Sequence, residues 1–510
     1  MKIKYMDASR RPGPMTRKAF LGSLLAFTTA RPQQMFAAGG LSGPITLNMR
    51  PHDAEPNLRF GVVSDVHVRE ATGRYGTEAL FKAFAWFRDH GADGVVIAGD
   101  MADQGLVSQL QCVADAWERT FPGDRGQGGK PVEKLFIYGN HDIDGFKYSK
   151  LMPNQGESIA TDRAAAWERV FKEQYVPIWK KTIKGYTFIG AHWDSWKGVP
   201  AIESYMKEHA AELCGDRPFF YIQHPHPKNT CHGPWAWGQD SGFAGCALSQ
   251  FPNAIAFSGH SHHPLVDERS IWQGAFTSIG TASLRYIDPT YGRENSGPRS
   301  LDDLKQMPLL DTFRGKEGML VSVYDDQIVI ERHDFVHDGK LGADWIVPLP
   351  LASAKPYDFS VRTENAVAPQ FPSDAEVAVT GPADGKDRKG RATKQFTVTF
   401  PTALQDSAHT RAYDYEVVAE VEECDVRRVV CTKRVFSPAY FLVPECEPKT
   451  ANCVFSLNEL NTRSGSYFSP TVRFIVRAVE TFGKKSDAIV SDSYVISKPR
   501  HALAFARAVI

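Results

Sequence analysis

No charge of either sign is in surplus: lysine plus arginine and aspartate plus glutamate each number 59. A chain so balanced has no overall field to draw it toward nucleic acid or an anionic membrane, so no nucleic-acid partner is expected and recognition has to be local. Beyond the first forty residues no apolar run approaches the ~20 residues a membrane helix needs, so the mature chain is expected to lack an integral membrane segment. There is neither a Gly-x-Ser-x-Gly elbow nor a Gly-rich loop ending in Lys-Ser/Thr, and no covalent enzyme intermediate of those kinds is expected. Cysteine is sparse, with eight in the chain. Cys424, Cys431, Cys446 and Cys453 crowd one stretch, and Cys231 and Cys246 bracket a Gly- and Trp-rich loop. None of these pairs has the two-residue spacing of a zinc knuckle, so local disulfides are expected, with no pairing assigned.

The first forty residues differ from the rest. They carry Arg10, Arg11, Arg17 and Lys18, a modest apolar stretch from Ala19 to Ala30, and small residues at Ala37 and Ala38. Basic, apolar, then cleavable is the order of a secretory signal. Thr16-Arg17-Lys18-Ala19-Phe20-Leu21 resembles the twin-arginine export pattern, with Lys18 where that pattern has its second arginine. The expectation is an exported protein, periplasmic or extracellular.

The length is too great for one ordinary core, since single domains stop growing near 250 to 300 residues. Phe60–Ser64, Gly94–Ala98, Leu135–Tyr138, Tyr186–Ala191, Phe219–Gln223 and Ala254–Ser258 read as short buried strands. Between them, Leu80, Phe84 and Phe87, and then Leu106, Leu110, Val113, Trp117 and Phe121, recur at helical spacing. Met319–Tyr324 and Gln327–Arg332 read as a hairpin that closes the sheet. After residue 350 the helical period disappears. Strand-like runs follow near 396–400, 413–421, 429–436, 439–443, 472–479 and 488–496, which suggests an all-β sandwich. The expected division is an export segment at 1–40, an α/β domain at 41–350, a linker at 351–364 and an all-β domain at 365–510.

The informative pattern is where polar residues fall relative to the strands. Asp65 and His67 follow the first strand, Asp100 the second, Asn140 and His141 the third, His224 the fifth, and His260 and His262 the sixth. The carboxyl ends of strands in an open α/β sheet line the ligand crevice, so residues far apart in sequence converge there. Two divalent ions about 3.5 to 4 Å apart require hard oxygen and imidazole donors plus a carboxylate able to bridge, and this set supplies them. Without thiolate, the set suits manganese, iron or zinc equally. Taken singly, Asp-x-His, Gly-Asp or one histidine at a strand end is most simply a turn or a satisfied core residue; it is their order and strand placement together that point to a site.

The ordered set Asp65-x-His67, Gly99-Asp100, Gly139-Asn140-His141-Asp142, His224 and Gly259-His260-x-His262 resembles the calcineurin-like metallophosphoesterases over about residues 58–335. That resemblance implies a four-layer αββα sandwich and metal-dependent hydrolysis of a small-molecule phosphomonoester or phosphodiester. It implies that Asp65, His67 and His262 hold one ion, that Asn140, His224 and His260 hold the other, and that Asp100 bridges both, with a metal-bridging hydroxide as nucleophile. It gives His141 the role of stabilising phosphoryl charge or protonating the departing oxygen, and gives Asp103 that of orienting His141. Purple acid phosphatases are a poor match: Asp103 stands where they place a tyrosine ligand, and they lack the histidine that His67 supplies. The run Val472–Val479 with Phe482-Gly483 resembles the last strands of a fibronectin type III module, a fold that serves as spacer or as platform for glycan or protein contact.

The segments His192-Trp193-Asp194-Ser195-Trp196 and Trp235-Ala236-Trp237 read either as a pocket wall able to stack on a nucleobase or sugar, or as ordinary core. His226, His232 and His263 read as hydrogen-bond partners of the ligands or as surface residues. The alternative reading of the whole chain is an exported binding or adhesion protein that works through its β-sandwich, with a decayed phosphoesterase domain.

Overall fold

The computed structural model describes residues 54–496 apart from 70–75, 150–155, 235, 289–311, 352–354, 388, 406–409, 441–447 and 461–469. The export segment expected at 1–40 therefore lies outside the described residues, as do Trp235 and Cys446. The strands of the first part are, in chain order, β1 (Leu58–Val63), β2 (Gly94–Ala98), β3 (Glu133–Ile137), β4 (Ile178–Ile183), β5 (Tyr186–Ala191), β6 (Phe219–Ile222) and β7 (Ala254–Ser258). Then come β8 (Ile271–Gln273), β9 (Thr277–Gly280), β10 (Glu317–Val323), β11 (Gln327–Asp334), β12 (Gly339–Lys340) and β13 (Trp345–Pro348). They form two sheets. A seven-stranded sheet runs β12-β11-β10-β1-β2-β3, with β13 also pairing β11, and a six-stranded sheet runs β4-β5-β6-β7-β9-β8. The 319–332 hairpin expected from sequence is β10 and β11, paired antiparallel, and β10 closes onto β1.

Strand alternation distributes the core. On β2, Val96 and Ala98 face the second sheet, while Val95 and Ile97 face helices. Phe60 of β1 meets Phe188, Phe220 and Phe257 of the second sheet edge-on, at 5.1, 4.8 and 5.8 Å between ring centroids. Each such pair contributes roughly 0.5–1.5 kcal/mol beyond area burial. The outer face of the first sheet is covered by helices Thr77–Asp89 and Val107–Thr120, whose buried Leu80, Phe84, Phe87, Leu110, Val113 and Trp117 fall at the expected helical spacing. Helices Ile202–Glu208 and Phe243–Leu248 cover the second sheet. The layers are α, β, β, α.

The C-terminal region has separate all-β sheets. β14 (Ala378–Lys386), β15 (Ala392–Pro401) and β18 (Thr450–Ser456) form one. The other is built from β16 (Asp414–Glu423), β17 (Val426–Phe436), β19 (Thr471–Val479), β20 (Ile489–Val490) and β21 (Tyr494–Val495). Alternate residues are buried along the second half of β15, Phe396, Val398 and Phe400, against Tyr415, Val417, Ala419 and Val421 of β16, and Phe474 of β19 bridges the sheets through Phe396 and Phe455. The run expected as a strand at 439–443 begins instead as a turn at Ala439 and Tyr440, and the rest lies outside the described residues. Tyr413, Phe436 and Tyr440 extend the core of the α/β part, together with Leu351 and Tyr357.

No pairing is assigned among the expected local disulfides, and Cys231 and Cys246, which bracket the Gly- and Trp-rich loop, are not joined. Cys231 is a buried thiol that donates to Ser278 Oγ at 3.4 Å, whereas Cys246 sits exposed on helix Phe243–Leu248. Cys424 is exposed with φ 52°, serving with Asp425 (φ 59°) as the two-residue turn between β16 and β17. Among the described residues no helix is long and apolar enough to cross a membrane.

Candidate metal centre

The five motif clusters leave the carboxyl ends of β1, β2 and β3 in one sheet and of β6 and β7 in the other, so the site lies across the tops of both. The first two loops are zipped together: Asp65 N donates to Gly99 O and His67 N to Asp100 O, each at 3.0 Å. Asp65, His67, Asp100, His260 and His262 all take left-handed backbone conformations, with φ of 51°, 46°, 53°, 71° and 53°. Such conformations cost non-glycine residues roughly 1–3 kcal/mol each and persist where the surroundings over-determine them, which is typical of functional sites. The motif glycines have a packing reason. A Cβ on Gly139 would stand 2.2 Å from Asp100 Oδ1, and one on Gly259 would stand 2.4 Å from Asp65 Oδ2. Asp142 clamps the β2 and β3 loops by accepting from Ala102 N and Gly139 N, both at 2.7 Å.

Besides the trio His67, Asp103 and His141, two groups of metal-competent donors converge here, Asp65 with His67 and His262, and Asp100 with His224 and His260. All six are buried. Asn140 joins the second group, its Oδ1 3.0 Å from His224 Nε2. Three of the imidazoles are oriented by donation from Nδ1: His67 to Asp103 Oδ1 at 3.0 Å, His224 to Ala98 O at 2.7 Å, and His262 to Tyr286 O at 3.0 Å. With Nδ1 committed as donor, each neutral ring presents an Nε2 lone pair inward, the arrangement that metal-binding histidines need. The carboxylates are divided the same way. Asp65 Oδ2 is held by Ser64 Oγ (2.5 Å) and His260 N (3.0 Å), and Asp100 Oδ1 by His141 N (2.7 Å), which leaves Asp65 Oδ1 and Asp100 Oδ2 facing the imidazoles.

That geometry fits a cation. His67 Nε2 and His262 Nε2 face each other at 3.2 Å, and His224 Nε2 faces the Asn140 carbonyl oxygen at 3.0 Å. In both contacts lone pair meets lone pair unless a proton or cation intervenes. Asp65 Oδ1 is buried without a hydrogen-bond partner, with His262 Nε2 3.0 Å away. Electrostatics agree. Burial works against charge on His67, but hydrogen bonds to Asp103 and Asp65 and the field of Asp100 outweigh it and push its pKa up to about 10. Burial likewise opposes charge on His224, and Asp100 and Asp65 lift it to about 9. Burial would raise the carboxyls of Asp65 and Asp100, yet the surrounding histidines hold both below the usual carboxylate range. Burial, then the charge of His224, keeps His260 neutral, well below its ordinary value. Without a metal, the buried carboxylates retain protons on neighbouring imidazoles, which is the behaviour of a pocket built around positive charge.

His141 stands apart from the ligand groups in its hydrogen bonding. Its Nδ1 donates to the backbone carbonyl of Asp103 at 2.8 Å, and its ring lies edge-on to His67, 4.6 Å between centroids. Nε2 is then the atom able to give or take a proton. The expectation that Asp103 orients His141 is corrected in its atoms: the carbonyl does this, while the carboxylate serves His67 and the Nε of Arg69 at 2.7 Å. Burial would raise Asp103, but His67 and then Arg69 hold it down at about 2.

His226, His232 and His263 are all fully buried, so none is a surface residue. His226 sits between Ser258 Oγ and Ser261 Oγ, and His263 contacts Asp267 Oδ2 at 2.7 Å. Trp193 is interior, whereas Trp196 and Trp237 are exposed beside His260. The carbonyls of Ala98 and Tyr286 have no counterpart in the sequence reading, because a backbone acceptor carries no residue signature. Tyr286 also packs its ring 4.2 Å from that of His262.

Residues 58–264 match the family model described as calcineurin-like phosphoesterase. Among solved structures, the chain is similar to a dimetal phosphatase from Danio rerio, with 11% identity over 58% of this chain and 99% of that one and a TM-score of 0.36. It is similar to a Vps29 variant from Entamoeba histolytica (12% identity, 57% and 99% covered, TM-score 0.25) and to an archaeal phosphodiesterase (12%, 57% and 99%, TM-score 0.22). No curated protein matches the chain.

Proposed function

We propose that this chain, whose residues 58–264 match the calcineurin-like phosphoesterase model, hydrolyses small-molecule phosphate esters, monoesters or diesters, with two divalent ions. Asp65, His67 and His262 would hold one ion, Asn140, His224 and His260 the other, and Asp100 would serve both. The observation that carries the reading is the facing of imidazole Nε2 atoms and carboxylate oxygens across a buried pocket while Nδ1 of His67, His224 and His262 is tied outward. When bound, such ions would supply positive charge to the phosphoryl oxygens and make water available as a nucleophile near neutral pH. The donor set, imidazole nitrogen with carboxylate and amide oxygen, suits manganese, iron or zinc.

The chain's own residues supply the rest. The Asp103 carbonyl accepts from His141 Nδ1 and orients the ring; when Nε2 also carries a proton, that N–H would stabilise charge on the phosphoryl group or pass its proton to the departing oxygen. Asp103 and Arg69 together keep His67 oriented, since the carboxylate is shared between them. The test is direct. Metal content is measured after reconstitution with manganese, with turnover of p-nitrophenyl phosphate and its bis ester. About two equivalents of metal and release of p-nitrophenol are expected; failure to bind stoichiometric metal overturns the proposal.

A further inference from the structure

Single exposed aromatic side chains are ordinary, whereas exposed aromatics gathered beside a polar site mark a surface where a ligand binds. Among the described residues the exposed phenylalanines and tryptophans are Phe146, Trp196, Trp237 and Phe313, and two of these contact one ligand candidate. Trp237 and Trp196 lie 4.8 and 5.5 Å from His260 between ring centroids, yet remain 44% and 54% exposed. Trp193 stands behind them in the interior, edge-on to Trp196 at 5.1 Å.

These rings are displayed on braced loops. Trp237 is carried by a loop pinned to the residue two after His224: His226 N donates to Gly238 O and Asp240 N to His226 O, both at 2.8 Å. Gly238 has φ +83°, and a Cβ there would stand 3.1 Å from His260 Cδ2, so the loop backbone lies against the ligand ring. The Asp240 carboxylate accepts from the backbone N–H groups of Lys228, Gly242 and Ala244. Trp196 sits in a turn closed by Gly198 N donating to Ser195 O at 2.9 Å, and Ser241 N donates to Lys197 O at 2.8 Å, which ties the two loops together. Such bracing presents the tryptophans in place before any ligand arrives, which reduces the ordering cost of binding.

We propose that Trp196 and Trp237 form a stacking wall beside the second metal position, and that the preferred esters carry a planar aromatic ring, as a nucleoside or aryl phosphate does. This rests on the phosphoesterase reading of the site. Aromatic side chains stack on flat rings with little regard to their hydrogen-bonding edges, so the wall selects for a flat organic group rather than for one particular base.

The experiment compares adenosine 5′-monophosphate with ribose 5-phosphate on the metal-loaded full chain, as substrates or, where not turned over, as inhibitors of p-nitrophenyl phosphate hydrolysis. Trp196→Ala and Trp237→Ala are each expected to weaken adenosine 5′-monophosphate by roughly 10- to 100-fold, through KM or Ki rather than kcat. Ribose 5-phosphate and metal content should stay unchanged. Trp237→Phe should restore most of the loss, and calorimetric binding of adenosine alone should vanish in the alanine variants. Equal weakening of both phosphates, or loss of metal, would overturn the wall and reduce the tryptophans to packing for His260. If the wild type binds metal and turns over ring-free esters with no advantage to adenosine 5′-monophosphate, the inference fails and the phosphoesterase stands. If it binds no metal, the underlying proposal fails first.

Discussion

Asp103 Oδ1 lies 3.0 Å from His67 Nδ1 and 3.8 Å from His141 Nδ1, so the carboxylate is the partner of a ligand candidate, and His141 is left to the backbone carbonyl of the same residue. One aspartate thereby holds two histidines through different atoms. Asp103→Asn keeps an oxygen acceptor for His67 but removes the charge, so metal affinity should fall about 10- to 100-fold with the fold intact. Calorimetric metal titration checks this, and an unchanged affinity would show that the carboxylate is dispensable to His67.

His141 should separate chemistry from metal binding. His141→Ala is expected to lower kcat about 10²- to 10⁴-fold while both ions stay bound. Metal analysis beside steady-state kinetics decides it: loss of metal together with rate would make His141 a ligand or a folding residue.

Metal and protons should compete. In the metal-free protein His67 and His224 titrate near 10 and 9, both above the ordinary histidine value of 6.5. Their protonation therefore stabilises the metal-free fold fully below about pH 6.5, and that contribution is lost as pH rises through 9 to 10. Metal must displace these protons, so affinity should rise between pH 6 and 9, by up to about tenfold per pH unit for each proton released. Titrations in buffers of different ionisation enthalpy count the protons; a pH-independent affinity without proton release contradicts the assignment.

Glu317, on β10, is buried and accepts from Leu265 N at 2.5 Å. Burial, more than any neighbour, pushes its carboxyl up to about 8 from an ordinary 4.5. Because the folded pKa is raised, its contribution is present in full below pH 4.5 and is lost as pH climbs to 8, by about 1.4 kcal/mol per pH unit between those values. Glu317→Gln keeps the acceptor and cannot ionise, so its unfolding free energy should lose that part of the slope. Denaturant midpoints at pH 5 and pH 8 test it, and parallel curves for the two proteins would falsify the reading.

Arg269 joins the two parts of the chain. It is fully buried, pairs with Asp267 at 2.6 Å and lies beneath the Tyr413 ring at 5.1 Å, while Asp267 also contacts His263, next to His262. Arg269→Met leaves a buried carboxylate short of its main counter-charge and should cost about 3–5 kcal/mol. Urea unfolding measures this; a change within ~0.5 kcal/mol would show that the pair is not a structural tie.

Strand positions and site clusters were legible because their causes are local. Apolar runs such as Gly94–Ala98 and Ala254–Ser258 form strands wherever they are buried on both faces, and polar residues just past them have to lie at the strand ends. Very short strands were less visible. β8 and β9 span only three and four residues, too few for a period to emerge. At the start of the 439–443 run, Tyr440 packs into the core shared with Tyr413, and burial of this kind in a turn is not distinguished from a strand by an apolar pattern.

By itself, the sequence determined the order of elements and the five clusters of donors, since periodicity and chain order are properties of neighbours along the backbone. Only the tertiary structure decided that Asp103 serves His67 by its carboxylate and His141 by its carbonyl, and that the carbonyls of Ala98 and Tyr286 orient ligand candidates. It alone decided that Trp193 is buried while Trp196 is displayed, and that Cys231 and Cys246 stay apart. These outcomes depend on which surfaces meet across the two sheets, a relation between residues up to two hundred positions apart that no local window contains.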